Sequence, residues 1–312
     1  MTLASHAANR AASLSAEQAG KLMRGATYAS LSVASVLVVA KLAAWLATDS
    51  VSLLSTLVDS LLDVGASGLS FLAVRHATQP ADREHRFGHG KAESVGGLGE
   101  AAFVMGSGIF VLAQAVHRLI FPIQLANTGI GYGVMGLGMV LSIGLVLFQR
   151  YVVRRTGSVA IGAESLNYTN DILVNFSVIL SLFVTTRFNW PAADPLFAIG
   201  ISGYIMWGAW RIGQRALDIL MDRELPDGDR EQIRVLATGC TGVRGVHGIR
   251  TRSAGLHLFI QLHLEMADHL TLKEAHDVVE AVERILEAAY PNADVLIHAD
   301  PESVVPGERA GR

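Results

Sequence analysis

The segment Leu57-Val58-Asp59-Ser60-Leu61-Leu62-Asp63 lies within an apolar stretch, residues 51–74, that decides the fold class of this chain. A stretch of this length and apolarity predicts a helix that spans a membrane. An ionised carboxylate inside a bilayer costs about 2.5–3.5 kcal/mol on insertion scales, so the two aspartates require a functional or structural reason. Because they are four residues apart, both side chains project from the same face of the helix.

A second apolar stretch, residues 159–186, repeats this arrangement with Asn167 and Asp171. Two facing carboxylates repel each other unless a cation or a proton lies between them. Asp59, Asp63, Asn167 and Asp171 therefore predict a divalent-cation site built from four oxygen-bearing side chains inside the membrane. The alternative is a set of purely structural hydrogen bonds between helices.

The composition is that of a polytopic membrane protein: 51% of the residues are hydrophobic, 17% are charged and the mean hydropathy is +0.38. Globular proteins carry about 25% charged residues. The net charge of −3 indicates no particular partner, because the charges are segregated along the chain. A single cysteine, Cys240, excludes an intramolecular disulfide and a cysteine-rich metal cluster.

Six apolar spans are predicted within a membrane domain of residues 26–221, at residues 27–47, 51–74, 95–120, 129–148, 159–186 and 195–216. Lysine and arginine residues flank the N-terminus and the second and fourth loops, so the positive-inside rule predicts that both termini are cytoplasmic. Lys41, late in the first span, is expected to snorkel to the outer surface. Residues 1–25 are predicted to form a disordered or interfacial cytoplasmic arm.

Residues 222–305 are predicted to form a soluble α+β domain, followed by a disordered tail at residues 306–312. The alternation of leucine and isoleucine with polar residues across 256–265 is typical of a strand with one buried face. Helices are predicted at 230–238 and 272–289, and further strands at 246–252 and 293–298. The order α-β-β-α-β favours a small α+β sandwich.

The second loop carries a candidate metal site in Asp82, His85 and His89, whose spacings of three and four residues let them converge on one ion. Imidazole together with carboxylate suits zinc or iron(II). The alternative is that these residues are solvated charges beside the membrane.

The C-terminal domain holds most of the remaining histidines, namely His247, His257, His263, His269, His276 and His298. Asp300 follows His298 by two residues, and residues two apart in a strand share a face. This density of imidazoles predicts a metal site, with ordinary surface histidines as the alternative.

Three motifs resemble the cation diffusion facilitator family in its bacterial branch for ferrous-iron and zinc efflux. They are the segment 57–63, the pair Gln-Pro-Ala-Asp (79–82) and Phe-Gly-His-Gly-Lys-Ala-Glu-Ser (87–94), and Gln-Leu-His-Leu-Glu-Met (261–266). The resemblance runs from about residue 26 to residue 306. It implies an α-helical membrane protein with six transmembrane helices and a metallochaperone-like cytoplasmic α+β domain, assembled as a homodimer in the bacterial inner membrane. The implied activity is export of divalent metal against inward proton flow, by alternating access.

The resemblance also implies roles for particular residues. The transport site falls on Asp59, Asp63, Asn167 and Asp171, and the loop site falls on Asp82, His85 and His89. A cytoplasmic binuclear site falls on His247, His263, His276, His298 and Asp300. A salt bridge that stabilises the dimer pairs Lys91 with Asp222.

This chain departs from the family pattern at two of these places. Zinc-transporting members of the branch have histidine where this chain has Asn167, so the site here is all-oxygen and harder. Such a site favours Mn²⁺ or Fe²⁺ over Zn²⁺, with Cd²⁺ tolerated, and an amide cannot titrate near neutral pH. Ala299 replaces a bridging amide side chain of the cytoplasmic site. Glu100, in the third span, is a further acid that either supplements proton transfer or bonds to a neighbouring helix.

We therefore expect a metal/proton antiporter whose partners are a second copy of the chain, membrane lipid and the metal substrate, and not nucleic acid. Two other functions stay open. One is a metal-sensing membrane scaffold without transport. The other is an intramembrane metalloenzyme, which is disfavoured because no His-Glu-x-x-His pair occurs and no general base accompanies the four-oxygen set.

Overall fold

A computed structural model of the chain describes residues 14–48, 51–121, 129–188 and 193–305. These residues form two compact units, one from Gly20 to Leu217 and the other made of the residues up to Ala19 together with those from Asp218 onward. The first unit contains the predicted membrane spans, and the second contains the predicted α+β domain.

Six long helices make up the first unit in the described ranges. They are α1 (Ala16–Thr48), α2 (Val51–Ala77), α3 (Lys91–Ile120), α4 (Gly129–Thr156), α5 (Val159–Phe188) and α6 (Ala193–Leu220). Four of them contain segments long and apolar enough to cross a membrane, at residues 16–47, 56–77, 91–120 and 136–156. Many of their large apolar side chains face outward, among them Val39, Leu46 and Val140. Outward-facing apolar surface of this extent fits contact with lipid.

The first helix begins at Ala16, earlier than the predicted start at Thr27. Residues 16–25 of the predicted arm are helical, so the disordered alternative is wrong for them and the interfacial one stays a prediction. Residues 1–13 of that arm and the tail at 306–312 lie outside the described residues.

Small residues let the helices of this bundle approach closely. A Cβ atom on Gly97 of α3 would lie 2.8 Å from Cγ1 of Val159 on α5, and one on Gly108 would lie 2.7 Å from Cγ of Met206 on α6. Small residues at such contacts are the usual means of packing helices in lipid. The helix α3 is thereby held against α5 and α6, while α2 packs against both α3 and α5.

The second unit contains the helices α7 (Asp227–Thr238) and α8 (Leu272–Ala289) and the strands β1 (Gly245–Ala254), β2 (His257–Met266) and β3 (Ala293–Pro301). This is the predicted order α-β-β-α-β. The strands form one sheet in the order β1-β2-β3, in which β1 and β2 are antiparallel and β2 and β3 are parallel. A parallel pair needs a crossover connection, and α8 provides it.

The core of this unit lies between the sheet and the two helices. Ile260, Leu262 and Leu264 alternate along β2 and are at most 1% exposed, as the sequence pattern predicted. They pack with Val282 and Leu286 of α8. The N-terminus of α8 is closed by a reciprocal capping box between Thr271 and Glu274, which satisfies backbone donors at the helix start. The opposite face of β2 is left to polar residues.

Candidate metal sites

The four predicted residues of the membrane site occupy facing positions on α2 and α5. The amide nitrogen of Asn167 donates a hydrogen bond to Oδ1 of Asp63, at 2.9 Å. Asp63, Asp59 and Asp171 lie close enough for their charges to interact. The three carboxylates do not, however, converge within 4.8 Å of one another, as the ligand atoms of the other two clusters in the described residues do. We call the oxygen-bearing faces of α2 and α5 at these four residues the cleft.

The hydrogen bond of Asn167 defines what this residue can offer a cation. Its nitrogen is engaged by Asp63, which leaves the amide oxygen as the atom available to a metal. The same bond is also what a purely structural role for Asn167 would need. Direct ligation by Asn167 therefore stays a prediction.

Lys41 does not snorkel outward as expected, and that prediction is wrong. Its Nζ atom donates to the carbonyl oxygen of Thr56 at 3.0 Å and to Oγ of Ser60 at 2.5 Å. Ser60 lies between the two aspartates of α2, so the ammonium stands beside the acidic cluster and its charge acts on Asp63 and Asp171. A cation beside carboxylates in a membrane-spanning unit lowers the cost of leaving them ionised in a medium of low dielectric constant.

The loop residues Asp82, His85 and His89 come together as the sequence predicted. Their ligand atoms lie within 4.8 Å of one another. Asp82 lies 3.3 Å from Nε2 of His89 and 3.5 Å from Nδ1 of His85. The other nitrogen of His89 is buried and lacks a hydrogen-bond partner in the described residues. His76, which sequence reasoning did not select, stacks edge-on against His89 with ring centroids 5.0 Å apart.

The backbone holds Asp82 in its ionised form. The backbone N–H group of His85 donates to its Oδ1 at 2.7 Å, and that of Glu84 does so at 2.9 Å. These bonds, the one from His85 above all, lower the pKa of Asp82 below its ordinary value. Asp82 is thus a preformed anionic ligand at any pH at which a metal binds imidazole.

We expect metal bound at the loop to be lost as the pH falls from about 7.5 to about 5.5. An imidazole ordinarily titrates near pH 6.5 and must be neutral to bind metal, whereas the depressed pKa of Asp82 keeps its carboxylate ionised throughout that window. The difference in bound metal between the wild type and a His89→Ala variant isolates this site. Asp82→Asn should lower the affinity at every pH, while the affinity should still fall over the same pH range, because that range is set by the imidazoles. An affinity that falls only at the lower pH at which an aspartate protonates would contradict this assignment.

In the C-terminal unit, sheet register aligns three of the predicted histidines. His247 of β1 pairs with His263 of β2, and His263 pairs with His298 of β3, so the three side chains form a row across the sheet. Glu265 and Asp300 are register partners one step further along the same face. A row of imidazoles beside a row of carboxylates is a donor set for borderline divalent metals.

Asp300 is the centre of this cluster and is 6% exposed. Its Oδ2 atom lies 2.7 Å from Nδ1 of His263 and 3.5 Å from Nε2 of His247, and its Oδ1 atom lies 3.0 Å from Nε2 of His298. Gly248 makes room for this arrangement. Its φ of +60° suits glycine, and a Cβ atom there would lie 2.8 Å from Cδ2 of His263.

Glu265 belongs to this cluster, although sequence reasoning did not choose it. Its Oε1 atom lies 3.1 Å from Nδ1 of His247. The sequence did contain a signal for its inclusion, because Glu265 follows His263 by two residues in a predicted strand and such residues share a face. A glutamate on the polar face of an alternating strand is expected to be exposed to solvent, whereas only 8% of Glu265 is exposed.

The remaining histidines of this unit lie apart from the cluster. His276, on α8, lies 3.4 Å from Glu280 on its own helix and its side chain is 64% exposed. His257 and His269 are also exposed. Within one chain the structure thus brings together His247, His263, His298 and Asp300 but not His276. A role for His276 as a ligand stays a prediction, as does the Lys91–Asp222 salt bridge, whose residues belong to different units.

Comparison with known proteins accounts for both units. The profile of the cation efflux transmembrane domain matches residues 27–221, and that of the cation efflux protein cytoplasmic domain matches residues 225–302. The chain is 45% identical to the cation-efflux pump FieF of Salmonella schwarzengrund (strain CVM19633) over 289 residues, which cover 93% of this chain and 96% of the relative. The FieF protein of Salmonella agona (strain SL483) is 44% identical over the same shares. Among solved structures, the zinc form of CzrB, a candidate zinc transporter, is similar with 32% sequence identity and a TM-score of 0.25. The match covers 27% of this chain and 96% of the CzrB chain.

The family-level expectation from the sequence is confirmed, with a transmembrane domain followed by a cytoplasmic α+β domain. Because the two profiles match most of the chain and the relatives match nearly its whole length, this chain belongs to the cation efflux family, also called the cation diffusion facilitator family.

Proposed function

We propose that this protein exports divalent transition-metal cations from the cytoplasm in exchange for protons. The observation that carries the proposal is the contact between Asn167 and Asp63, which joins the oxygen-bearing faces of two helices of the membrane unit. The naming of the relatives as cation-efflux pumps supports the same function. This activity is secondary transport and requires no enzymatic step.

Exchange of metal for protons follows from the chemistry of buried carboxylates. Three aspartates near one another in a low-dielectric setting repel unless a cation or protons neutralise them. A divalent ion and protons therefore compete for the same oxygens, and binding of one releases the other. When no metal is bound, Lys41 supplies part of the positive charge that neutralises the aspartates, so fewer protons have to bind to them.

We also propose six membrane spans, with both termini in the cytoplasm of a bacterial inner membrane, and a homodimeric assembly. Six long helices and the basic residues near the second and fourth loops support this topology. The match of residues 225–302 to the cytoplasmic-domain profile supports a cytoplasmic position for the α+β unit. Alternating access of the cleft to the two sides would then carry the ion across.

The donor set supports Mn²⁺ and Fe²⁺ as substrates at least as strongly as Zn²⁺, with Cd²⁺ tolerated. Carboxylate and carbonyl oxygens suit the harder ions, and the set on α2 and α5 contains no imidazole. The loop and cytoplasmic clusters do contain imidazole, so they would hold zinc or iron as regulators and not as cargo in transit.

Transport in sealed vesicles tests the proposal directly. Purified protein reconstituted with a metal indicator inside should pass Mn²⁺, Fe²⁺, Zn²⁺ or Cd²⁺ at a rate that depends on an imposed pH gradient. Binding of metal without flux would favour a metal-sensing scaffold and exclude a transporter. Turnover of a hydrolysable substrate without flux would favour a metalloenzyme.

A further prediction concerns the cytoplasmic cluster. The unit after Asp218 has its own hydrophobic core, so a fragment of residues 222–312 should fold alone and bind divalent metal. At a metal concentration 100 times Kd, binding adds about 2.7 kcal/mol to the free energy of unfolding, which raises Tm by roughly 10–20 °C for a domain of this size. His263→Ala should abolish the shift.

His276→Ala is the matched control for that experiment. It removes an exposed imidazole outside the row, so at low protein concentration the metal-dependent shift should persist. If calorimetry on the fragment detects no metal binding, the regulatory role of this cluster is wrong and its histidines are surface residues.

A further inference from the structure

A second pair of acidic residues lies inside the membrane unit, apart from the four-oxygen set. Glu100 on α3 is 2% exposed and Glu164 on α5 is 1% exposed. The two carboxylates lie close enough for the charge of one to act on the other. Neither forms an ion pair with a lysine or arginine in the described part of the chain.

Hydroxyl and amide groups surround this pair: Ser70 faces Glu100, and Ser30, Ser67, Ser70 and Gln149 face Glu164. None of the four carboxylate oxygens forms a hydrogen bond of normal geometry with the described residues, and the same holds for the Oγ atom of Ser70 and the amide oxygen of Gln149. The nitrogen of Gln149 donates one of its hydrogens to Oγ of Ser30, at 2.9 Å. Gln149 is itself 0% exposed, so its unpaired oxygen is buried beside Glu164.

The neighbouring serine hydroxyls and the Gln149 amide can donate hydrogen bonds to the pair, but they are neutral and supply no positive charge. Two ionised carboxylates here would repel each other and would lack solvation, at a cost of several kcal/mol each in an apolar medium. A proton on either glutamate resolves both problems, because it removes one charge and supplies an O–H donor to a neighbouring acceptor. We propose that Glu100 and Glu164 form a proton-binding pair that exchanges its proton during metal transport.

Polar groups lie between the pair and the metal site along α2 and α5. Tyr168 lies one turn beyond Glu164 on α5, and its hydroxyl is 3.2 Å from Oγ of Ser67, one turn beyond Asp63 on α2. Asp171 lies two turns from Glu164, about 10 Å along the helix axis. A divalent ion at the metal site would therefore repel a proton on the pair.

The other groups that face the pair do not titrate near neutral pH. They are Ser30 of α1, Ser67 and Ser70 of α2, Gln149 of α4 and Tyr168 of α5. The next acid along α3 is Glu93, and its Oε1 atom accepts a hydrogen bond of 2.7 Å from the backbone nitrogen of Val159. Glu93 is thus a buried acid that is held by a backbone hydrogen bond, and the groups that act on its charge in the described part of the chain include no second acid.

This inference rests on the proposed exchange of metal for protons and deepens it. Asn167 stands where imidazole would provide a group that titrates near neutral pH, so the pair would add to the protons exchanged at the aspartates. In this step one O–H bond of the pair breaks as metal binds, the proton is released to water, and the charge of the pair becomes more negative by one unit. Reloading of the pair reverses these changes once the metal has left.

The test compares the double variant Glu100→Gln/Glu164→Gln with Glu93→Gln as a matched control. Glutamine keeps the shape of a protonated glutamate and supplies donors, so the bundle should fold. In vesicles that report both metal and pH, the double variant should move fewer protons per metal ion, by roughly one, and its transport should vary less with pH. Glu93→Gln should match the wild type. If Glu100→Gln/Glu164→Gln fails to fold, the same measurements are made on Glu100→Gln alone.

Infrared spectroscopy reads the proton on the pair without transport. Detergent-purified wild type at neutral pH should show a carboxylic-acid carbonyl band that the double variant lacks and Glu93→Gln retains. An identical band in all three proteins would overturn the proposal. So would a double variant that binds fewer metal ions at equilibrium, because the pair would then be a cation site. Absence of metal flux in the wild type would contradict the proposed function but would leave the infrared result to decide on the pair.

Discussion

Replacement of Asp63 by alanine is expected to abolish metal transport while the protein still folds. Asp63 is the residue at which the two helices of the site meet, since it accepts the hydrogen bond of Asn167 and lies one turn from Asp59. Its removal deletes a charged oxygen donor and leaves the Asn167 amide without its acceptor. The site therefore loses affinity for the metal, and α2 and α5 lose the hydrogen bond that joins them at this point. Substitutions behind a metal ligand already cost 10–100-fold in affinity, and we expect flux to fall by at least about 100-fold.

The measurement is metal uptake into sealed vesicles by equal amounts of each protein, with size-exclusion chromatography as the check on folding and assembly. Asp171→Ala should behave in the same way, because it removes the facing carboxylate of α5. Glu93→Gln is a suitable control, since it neutralises a buried acid of the same unit that is bonded to Val159 and lies outside the site. Wild-type flux in either aspartate variant would refute the assignment of the transport site.

Replacement of Asn167 by histidine is expected to shift preference toward zinc and to make transport depend on pH. Imidazole is a softer donor than an amide oxygen and favours Zn²⁺ relative to Mn²⁺ and Fe²⁺. It also titrates near neutrality, so flux should change between about pH 6 and 7.5, where the amide of the wild type is inert. The substitution also removes the amide group that donates to Asp63, so the imidazole must take over that bond to keep the helices in register.

Competition transport assays with pairs of metals decide this prediction. Asn170→His offers a control in the adjacent turn of α5, because Asn170 is buried but is outside the four-oxygen set. A ranking of metals that is the same in the wild type and in Asn167→His would mean that this position does not set selectivity. Asn167 would then act only through its hydrogen bond to Asp63.

The elements of this fold were largely predictable from local pattern. The helix at 272–289 was predicted at the limits that the structure shows, because apolar spacing of this kind acts within one or two turns. Alternation along β2 identified the buried face with Ile260, Leu262 and Leu264 for the same reason. A four-residue spacing also put the paired acids of α2 on one face without reference to the rest of the molecule.

The metal clusters were predictable in part. Asp82, His85 and His89 lie within one short loop, so their convergence depended on few dihedral angles. The cytoplasmic histidines come from three strands, and nothing in the spacing along the chain says that His247, His263 and His298 share a register. That alignment depends on the β1–β2 turn, the bulge at Gly248 and the crossover through α8.

What the amino-acid sequence by itself determined is the class of the protein, the position of its helices and strands, and the residues able to bind a metal or a proton. Those properties follow from periodicity and from the cost of placing charge in an apolar stretch. Only the tertiary structure decided which of these residues meet. The rotation of the helices decides that Lys41 contacts Ser60 and that Glu100 faces Glu164. The alignment of the strands decides that Glu265 contacts His247. Rotation and alignment are fixed by packing between segments distant in sequence, which no local pattern contains.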